Sequence, residues 1–221
     1  MSHDDFAFEP IPGLPALPPE GETILWQGGP DWRGLAWRAF HVREVSFYFA
    51  ALVLAQPVLA LVQGTALGAT LLPMLWIGLA GCVAIGVLGT LAFLSARGTV
   101  YTITNRRLAL RFGIALPMTI NLPFSVIGDA GLRLRRGGAG DIPLGIVAGE
   151  RVSYIVLWPN VRPWRLGRPE PMLRDVPEAA RVADILARAL AAHAGSAVPM
   201  RLPASIAAND QRLPQGMAAA G

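Results

Sequence analysis

Polar and apolar residues are unevenly distributed along the chain, and one long stretch carries no charge. From residue 45 to residue 96 there is no Asp, Glu, Lys, Arg or His. A helix needs about 20 apolar residues to cross a bilayer, so this stretch has the length for two helices and a turn. We predict one span over 45–63, a turn over 64–70 and a second span over 71–96. The pattern therefore predicts a membrane hairpin.

The hydrophobic period changes to two directly after the apolar stretch. Apolar and polar residues alternate in several short segments, which is the pattern of half-buried strands. Short strands at this spacing indicate an antiparallel barrel or a strongly bent sheet. The predicted strands are 100–104, 108–112, 118–122, 132–135, 141–147 and 151–158, with one more at 22–27 before the hairpin.

A helix is predicted to close this β-rich region. Asp175 is placed to cap it, Pro177 suits its first turn, and Glu178 follows Asp175 at the spacing of a capping box. Apolar residues then recur at helical spacing as far as Gly195, which we expect to end the helix. The fold class is thus a membrane α-helical hairpin plus an α+β domain. The predicted segments are an arm with an interfacial part over 1–44, the hairpin over 45–96, the β-domain with its helix over 97–195 and a flexible tail over 196–221.

Aromatic and basic residues flank the apolar stretch on its outer sides. Mixed tryptophan and arginine is typical of the lipid headgroup zone, so we expect an interfacial helix before the first span. Trp32 and Trp37 are candidates for contact with a protein partner. Because the turn between the spans has no charge, the positive-inside rule predicts that both termini are cytoplasmic. The arginines expected at lipid headgroups here are Arg33, Arg38, Arg43 and Arg97.

Small residues recur every four positions in the second span. A ridge on one helix face is formed by Gly78, Cys82, Gly86 and Thr90, and Gly81 and Gly89 broaden it. Such a ridge lets two backbones approach closely in lipid. It either packs against the first span of the same hairpin or forms a docking face for a second copy or another membrane protein.

The composition narrows the classes of function. Hydrophobic residues make up 53% of the 221 residues and charged residues 15%, whereas a soluble domain is about a quarter charged. The net charge of +4 lacks the dense basic stripe of a nucleic-acid-binding protein, so we expect no nucleic-acid partner. The single cysteine excludes disulfides within the chain and cysteine metal sites. With no nucleophile beside a base, no metal-ligand spacing and no phosphate loop, we expect no enzyme activity, cofactor or metal.

Three further groups of residues have two interpretations each. His41 could ligate a chlorin magnesium or be an interfacial side chain. The arginines near residue 135 could touch lipid phosphates or form a solvated face of the barrel. The basic, aromatic loop over 162–171 could contact a partner or simply lead into the last helix. The arginines near residue 135 are Arg133, Arg135 and Arg136. The candidate contact residues of the loop are Arg162, Trp164 and Arg165.

The strands after the hairpin carry a familiar pattern. It resembles that of the bacterial pleckstrin-homology-like domains attached to membrane hairpins, in the segments YTITNRRLALRFG and INLPFSVI. With the arm FEPIPGLPALPPEGETILWQG and the later LWPNVRPWRLGRPEPMLRDVP, it is similar to the photosynthetic-complex assembly proteins of purple bacteria over about residues 6–193.

This resemblance implies both a fold and a function. The implied fold is a PH-like bent antiparallel β-barrel of six or seven strands, capped by a C-terminal helix. The implied role is non-enzymatic, in assembling the photosynthetic reaction centre and its core light-harvesting complex in the bacterial inner (intracytoplasmic) membrane. The implied partners are reaction-centre subunits, core antenna polypeptides and membrane lipids, and the resemblance supplies no catalytic residues.

Two other functions fit the same sequence. The chain could be a membrane-tethered module that binds anionic lipid through the arginine-rich face of its barrel. It could also be a permanent accessory subunit of the finished photosynthetic complex. The lipid-binding module differs from an assembly factor because its ligand is lipid and not protein. The permanent subunit differs because it would be present in each finished complex.

Overall fold

The computed structural model describes residue 11 and residues 13–14, 16–114, 116–135, 137–147, 153–163, 167 and 169–196. Within these residues, the first strand is followed by a short helix and the two helices of the hairpin, and six strands then come before another short helix, a last strand and the C-terminal helix. The strands are β1 (Ile24–Gly28), β2 (Val100–Thr104), β3 (Arg107–Phe112), β4 (Met118–Pro123), β5 (Ile127–Ala130), β6 (Arg133–Leu134), β7 (Gly140–Ile146) and β8 (Met172–Val176). The helices are α1 (Trp32–Arg38), α2 (Val42–Gln63), α3 (Leu71–Arg97), α4 (Tyr154–Leu157) and α5 (Ala179–Ser196), with a short 3-10 turn at Leu67–Thr70.

The first sheet draws strands from both sides of the hairpin. It is antiparallel in the order β1-β2-β3-β4, with Gly28 opposite Tyr101 and Phe112 opposite Met118. The strand β1 lies within the segment that we predicted as an arm, and its pairing with β2 brings that segment into the β-domain. The whole hairpin is therefore inserted between two neighbouring strands of one sheet.

The second sheet and α5 complete the β-domain. Strand β7 is paired with β5, β6 and β8, all antiparallel. The two sheets and α5 enclose one apolar core, as the predicted barrel with its C-terminal helix requires. Fully buried members of that core include Ile103, Leu108 and Leu110 of the first sheet, Ile142, Leu144 and Leu173 of the second, and Ala179 and Leu186 of α5.

Two local predictions are corrected by the structure, and two strands were missed. Residues 151–158 were expected to form a strand, but the described part contains the single helical turn α4, whose Leu157 is fully buried in the core. Strands β5 and β8 were not predicted. Asp175 does not cap α5: it lies in β8 with its carboxylate buried against arginine, because an uncompensated carboxylate cannot remain in the interior.

The predicted hairpin is present as two long helices. Both α2 and α3 are long and apolar enough to cross a membrane. In the most apolar part of each helix, only 6% and 11% of the residues, respectively, are buried within the protein. Their side chains therefore face outward, unlike those of a core helix in a soluble domain. The tight contact within the hairpin is at Gly81, where an added Cβ would lie 2.9 Å from the Phe49 side chain.

A short amphipathic helix packs where α3 leaves the hairpin. Leu35 and Phe40, on and just after α1, are buried against Ala92 of α3, and the Trp32 ring meets the Phe93 ring edge-on at 6.0 Å. With 27 residues, α3 is about 40 Å long, which exceeds the roughly 30 Å of a hydrocarbon core. The α1 helix thus packs beside the last turns of α3, at the open end of the hairpin, and its role as an interfacial helix stays a prediction.

Candidate functional site: the hairpin base and its ion-pair network

We call α1 together with the last turns of α3 the hairpin base. Asp31 begins α1 by accepting a hydrogen bond from the Arg33 backbone N–H at 3.2 Å, a common N-cap arrangement. Gly34 lies directly against β8, since a Cβ there would be 2.6 Å from the Asp175 carboxyl carbon. A glycine is therefore required for α1 to approach the β-domain this closely.

Asp175 joins the hairpin base to the β-domain. Its side chain is completely buried, and Arg38 of α1 binds it with two N–H groups, Nη2 to Oδ1 and Nε to Oδ2, the latter at 3.2 Å. The Asp175 backbone carbonyl also accepts a hydrogen bond from the Asp31 N–H at 2.9 Å. One residue of β8 thus holds both the beginning and the end of α1.

A second carboxylate and two more arginines extend this contact. Asp141 of β7 accepts hydrogen bonds from Arg135 Nη2 and, at 3.0 Å, from the Asp175 backbone N–H. Arg135 Nε lies 3.8 Å from Asp175 Oδ1. Arg174 donates to the Pro159 carbonyl at 2.9 Å. We call these five charged residues the ion-pair network: Arg38, Arg135, Arg174, Asp141 and Asp175.

Burial shifts the pKa values of groups in and beside this network. Desolvation lowers the pKa of Arg174, and burial followed by the positive charge of Arg135 lowers the pKa of Arg38. Burial raises the pKa of Tyr101, whose hydroxyl donates to Asn160 Oδ1 at 2.6 Å and accepts from the Arg174 backbone N–H at 3.1 Å. Tyr101 thus bonds to both Asn160 and the β8 backbone, and these buried polar groups join separate parts of the fold.

A cleft of about 550 Å³ opens beside the network. Exposed Arg133 and Arg162 lie on its wall with Glu170, which binds Arg162 at 2.8 Å. Acidic side chains therefore line the same cleft as these arginines. Within the described residues there is no group of His, Cys, Asp and Glu that could hold a metal ion.

The predicted interfacial residues lie on the outer surface of the hairpin base. Trp32 and Trp37 are 40% and 51% exposed. The Arg33 guanidinium lies over the Trp32 ring at 5.6 Å from its centroid, and Arg97 is exposed at the end of α3. Arg43 is exposed and paired with Glu44 at 2.9 Å. The base therefore presents indole rings and guanidinium groups together to the outside.

The arginines predicted at lipid headgroups do not share one role. Arg38 and Arg135 are turned toward buried carboxylates, which corrects the expectation that their guanidinium groups face lipid phosphates. Arg33, Arg97 and Arg133 remain exposed. Arg136 and the loop residues Trp164 and Arg165 lie outside the described residues.

The small-residue ridge of α3 does not face α2. Nothing lies within 4 Å of an added Cβ at Gly78 or Gly86, and Cys82 is exposed. Thr90 is also exposed, and its hydroxyl donates to the Gly86 carbonyl of its own helix at 2.8 Å. The interpretation that this ridge packs within the hairpin is wrong for Gly78 and Gly86, and only the neighbouring Gly81 makes that contact.

Sequence reasoning missed the ion-pair network. Arg38 and Asp175 are 137 positions apart, and nothing in a single sequence pairs them. One signal was present: two adjacent charged residues, Arg174 and Asp175, interrupt an apolar segment between Leu173 and Val176. Adjacent opposite charges within an otherwise buried strand indicate partners from elsewhere in the fold.

Comparison with known proteins agrees with this architecture. The family model described as "Bacterial PH domain" matches residues 49–190, which include most of the hairpin and the β-domain. A protein of Rhodobacter capsulatus, described as an uncharacterized 23.7 kDa protein in the puhA 5′ region, is 42% identical over 190 residues, covering 86% of this chain and 89% of the relative. A crystal structure of a DUF1696 family protein with a pleckstrin-homology domain from Shewanella loihica PV-4 shares 13% identity at a TM-score of 0.28, covering 41% of this chain and 69% of the other. By the family model, which matches more than half of its residues, the chain belongs to the bacterial PH domain family.

Proposed function

We propose that the chain is a non-enzymatic, membrane-anchored assembly protein of the PuhB type, acting on the photosynthetic reaction centre and its core antenna through protein contacts. Two findings support this. The sequence resembles such assembly proteins from its arm to its last helix, and the Rhodobacter relative is named for its position beside puhA. The puh gene prefix is the one that PuhB carries.

The rigid attachment of the β-domain to the hairpin is the structural observation that carries the proposal. The hairpin is inserted between β1 and β2, and the Arg38–Asp175 contact fixes α1 against β8. A recognition surface held in one orientation beside the bilayer meets a membrane partner at high effective concentration. Such a surface can therefore act through contacts that would be too weak between free proteins.

The proposed site of action is the bacterial inner membrane, with both termini in the cytoplasm. The exposed arginines Arg33 and Arg97 at the hairpin base support this orientation by the positive-inside rule. Reaction-centre subunits and antenna polypeptides would then meet two surfaces: the ridge of α3 inside the bilayer and the indole rings of α1 at its surface.

The ridge is suited to a helix partner. Its glycines are open to the outside, and a partner helix can approach a backbone that carries no side chains. Nothing lies within 4 Å of a Cβ at Gly86, so we expect Gly86→Leu to change the ridge while the contact of Gly81 with Phe49 is kept. Trp32→Ala with Trp37→Ala would remove the exposed rings of α1.

Gene deletion and complementation in a photosynthetic host test this proposal. We expect deletion to lower the amount of assembled reaction centre and core antenna, measured by membrane absorption, without changing the spectrum of the complex that does assemble. G86L and the double tryptophan variant should complement less well than wild type. Leu17→Ala, a change at a 65% exposed residue in the arm, is the matched control and should complement fully. Unchanged complex levels in the deletion strain would contradict the proposal.

Two measurements separate the alternatives. One copy of the chain in each purified mature complex would indicate a permanent subunit. If assembly depended only on exposed Arg33, Arg97 and Arg133, with G86L fully active, the anionic-lipid module would account better for the function.

A further inference from the structure

The turn between β3 and β4 exposes apolar side chains to an unusual degree. Ile114 and Met118 are 50% and 46% exposed, and Leu116 is 84% exposed, more than Val62 of the hairpin at 80%. No charged residue occurs between Arg111 and Asp129. Loop tips facing water are usually polar, so a cluster of this kind indicates a surface that something covers.

The position of this turn relative to the hairpin follows from the strand register. Val100, two residues after Gly98 at the end of α3, is paired with Arg111, and Phe112 is paired with Met118. Gly98 also touches the turn directly, because a Cβ on Gly98 would lie 2.4 Å from the Gly113 carbonyl oxygen. The turn therefore lies beside the last residue of α3.

The other end of the same strands points away from the hairpin. The strand β3 begins at Arg107, opposite Pro123, and its six residues extend about 17 Å from the turn. The exposed Ser125 lies two residues after Pro123, beyond the buried Phe124. The strand pair β3–β4 thus has one end beside the hairpin and the other end remote from it. The apolar cluster is at the end beside the hairpin.

We infer that the β3–β4 turn is a membrane-contact loop, in which Ile114, Leu116 and Met118 enter the headgroup zone beside the exit of α3. The inference rests on the proposed insertion of the hairpin in a bilayer. Continuity identifies lipid as the occupant: Gly98 and Gly113 are in contact, so a bilayer crossed by α3 reaches the base of this turn. The apolar side chains and the absence of charge match the chemistry of that zone.

The loop gives the β-domain a contact with the membrane that is separate from α1. Because α1 is joined to β8 and the turn belongs to β3 and β4, the two contacts touch different sheets of the domain. Together they restrict rotation of the β-domain about the axis of the hairpin, which keeps the same face directed at a membrane partner.

Site-directed fluorescence in nanodiscs tests this inference with the full chain. Native Cys82 lies on α3 and is the only cysteine, so Cys82→Ser gives a background for single labels. Leu116→Cys and Ser125→Cys are then labelled with an environment-sensitive dye, and quenching by lipids that carry a nitroxide near the headgroup is measured. Both side chains are exposed, so neither substitution disturbs the core.

We expect the label on L116C to be quenched at least about twofold more than that on S125C, with emission shifted to the blue. A label on native Cys82, near the middle of α3, is measured with lipids that carry the nitroxide in the acyl chain and reports whether the hairpin itself is in the bilayer. If the label on Cys82 is strongly quenched but the label on L116C is quenched no more than that on S125C, the inference of a membrane-contact loop is wrong. The insertion of the hairpin and the proposed function would not be affected by that result. No quenching at either Cys82 or L116C would overturn the inference together with the membrane insertion that the proposed function assumes.

Discussion

The contact between Arg38 and Asp175 joins the hairpin to the β-domain, so its removal should weaken the whole fold. In Arg38→Met the completely buried Asp175 carboxylate loses both N–H groups of its closest partner. Removing one member of a buried ion pair costs about 3–5 kcal/mol, since the other charge stays behind. The Arg38 side chain is 34% exposed and Arg135 Nε remains 3.8 Å from Asp175, so we expect about 2 kcal/mol.

Thermal unfolding of the purified full chain in nanodiscs measures this cost. A loss of about 2 kcal/mol corresponds to a fall in Tm of about 4–8 °C for a chain of this size. Unfolding of a membrane protein can be irreversible, so wild type and variants are compared at one scan rate. Adding Asp175→Asn should recover part of the loss, because the amide removes the unpaired buried charge; the two changes should therefore be less than additive.

Arg188→Met is the matched control for this experiment. It removes the same kind of side chain from an Asp184–Arg188 pair on α5 in which both side chains are at least 60% exposed. Such a pair contributes about 0.3–0.5 kcal/mol, which is a change in Tm of about 1 °C. If R38M melted as close to wild type as R188M does, the reasoning that α1 holds the β-domain in place would be refuted.

Three further predictions concern buried positions. Tyr101→Phe should lower the free energy of unfolding by about 1–3 kcal/mol in a thermal melt, because Asn160 Oδ1 and the Arg174 N–H lose their shared partner; an unchanged Tm would show that the hydroxyl is dispensable. Burial raises the pKa of Tyr101, so its contribution to stability is fully present below the pKa of an unfolded tyrosine, about 10, and is lost as the pH rises above that value. Above pH 10 the Tm of wild type should therefore fall more steeply with pH than the Tm of Y101F. Parallel curves of Tm against pH would contradict this prediction. Gly81→Val should destabilise the hairpin by about 1–3 kcal/mol through overlap with Phe49, whereas Gly86→Val should melt like wild type; equal effects would contradict the packing described for α3.

The hairpin and the first sheet could be predicted from the sequence because their signals are local. An uncharged stretch of the right length gave α2 and α3, and strict alternation gave β2, β3 and β4 within a residue of their ends. The positions of these elements are decided by their own residues, because a long uncharged stretch marks the helices and the alternation marks the strands. The alternation predicted half-buried strands, but β2 and β3 are buried on both faces, which their own residues did not indicate.

In the second sheet, alternation also located β6 and β7, predicted at 132–135 and 141–147, but β5, β8 and the network could not be predicted in the same way. Strand β8 carries Arg174 and Asp175 at buried positions, which breaks the alternation that identifies a strand. These charges are tolerated only because Arg38, Asp141 and the Pro159 carbonyl surround them, and those partners come from distant parts of the chain. The position of α1 on the β-domain depends on the same partners, so it could not be predicted from the sequence either.

The orientation of the β-domain is the central claim of this account, and one labelling experiment tests it directly. Ser125→Cys in the Cys82→Ser background places a single thiol at the end of the β-domain that is remote from the hairpin. A maleimide that cannot cross membranes is added to intact spheroplasts and, separately, to inside-out vesicles. We predict labelling in the inside-out vesicles and protection in the spheroplasts until they are lysed. Labelling in intact spheroplasts would place the β-domain outside the cytoplasm and contradict the account.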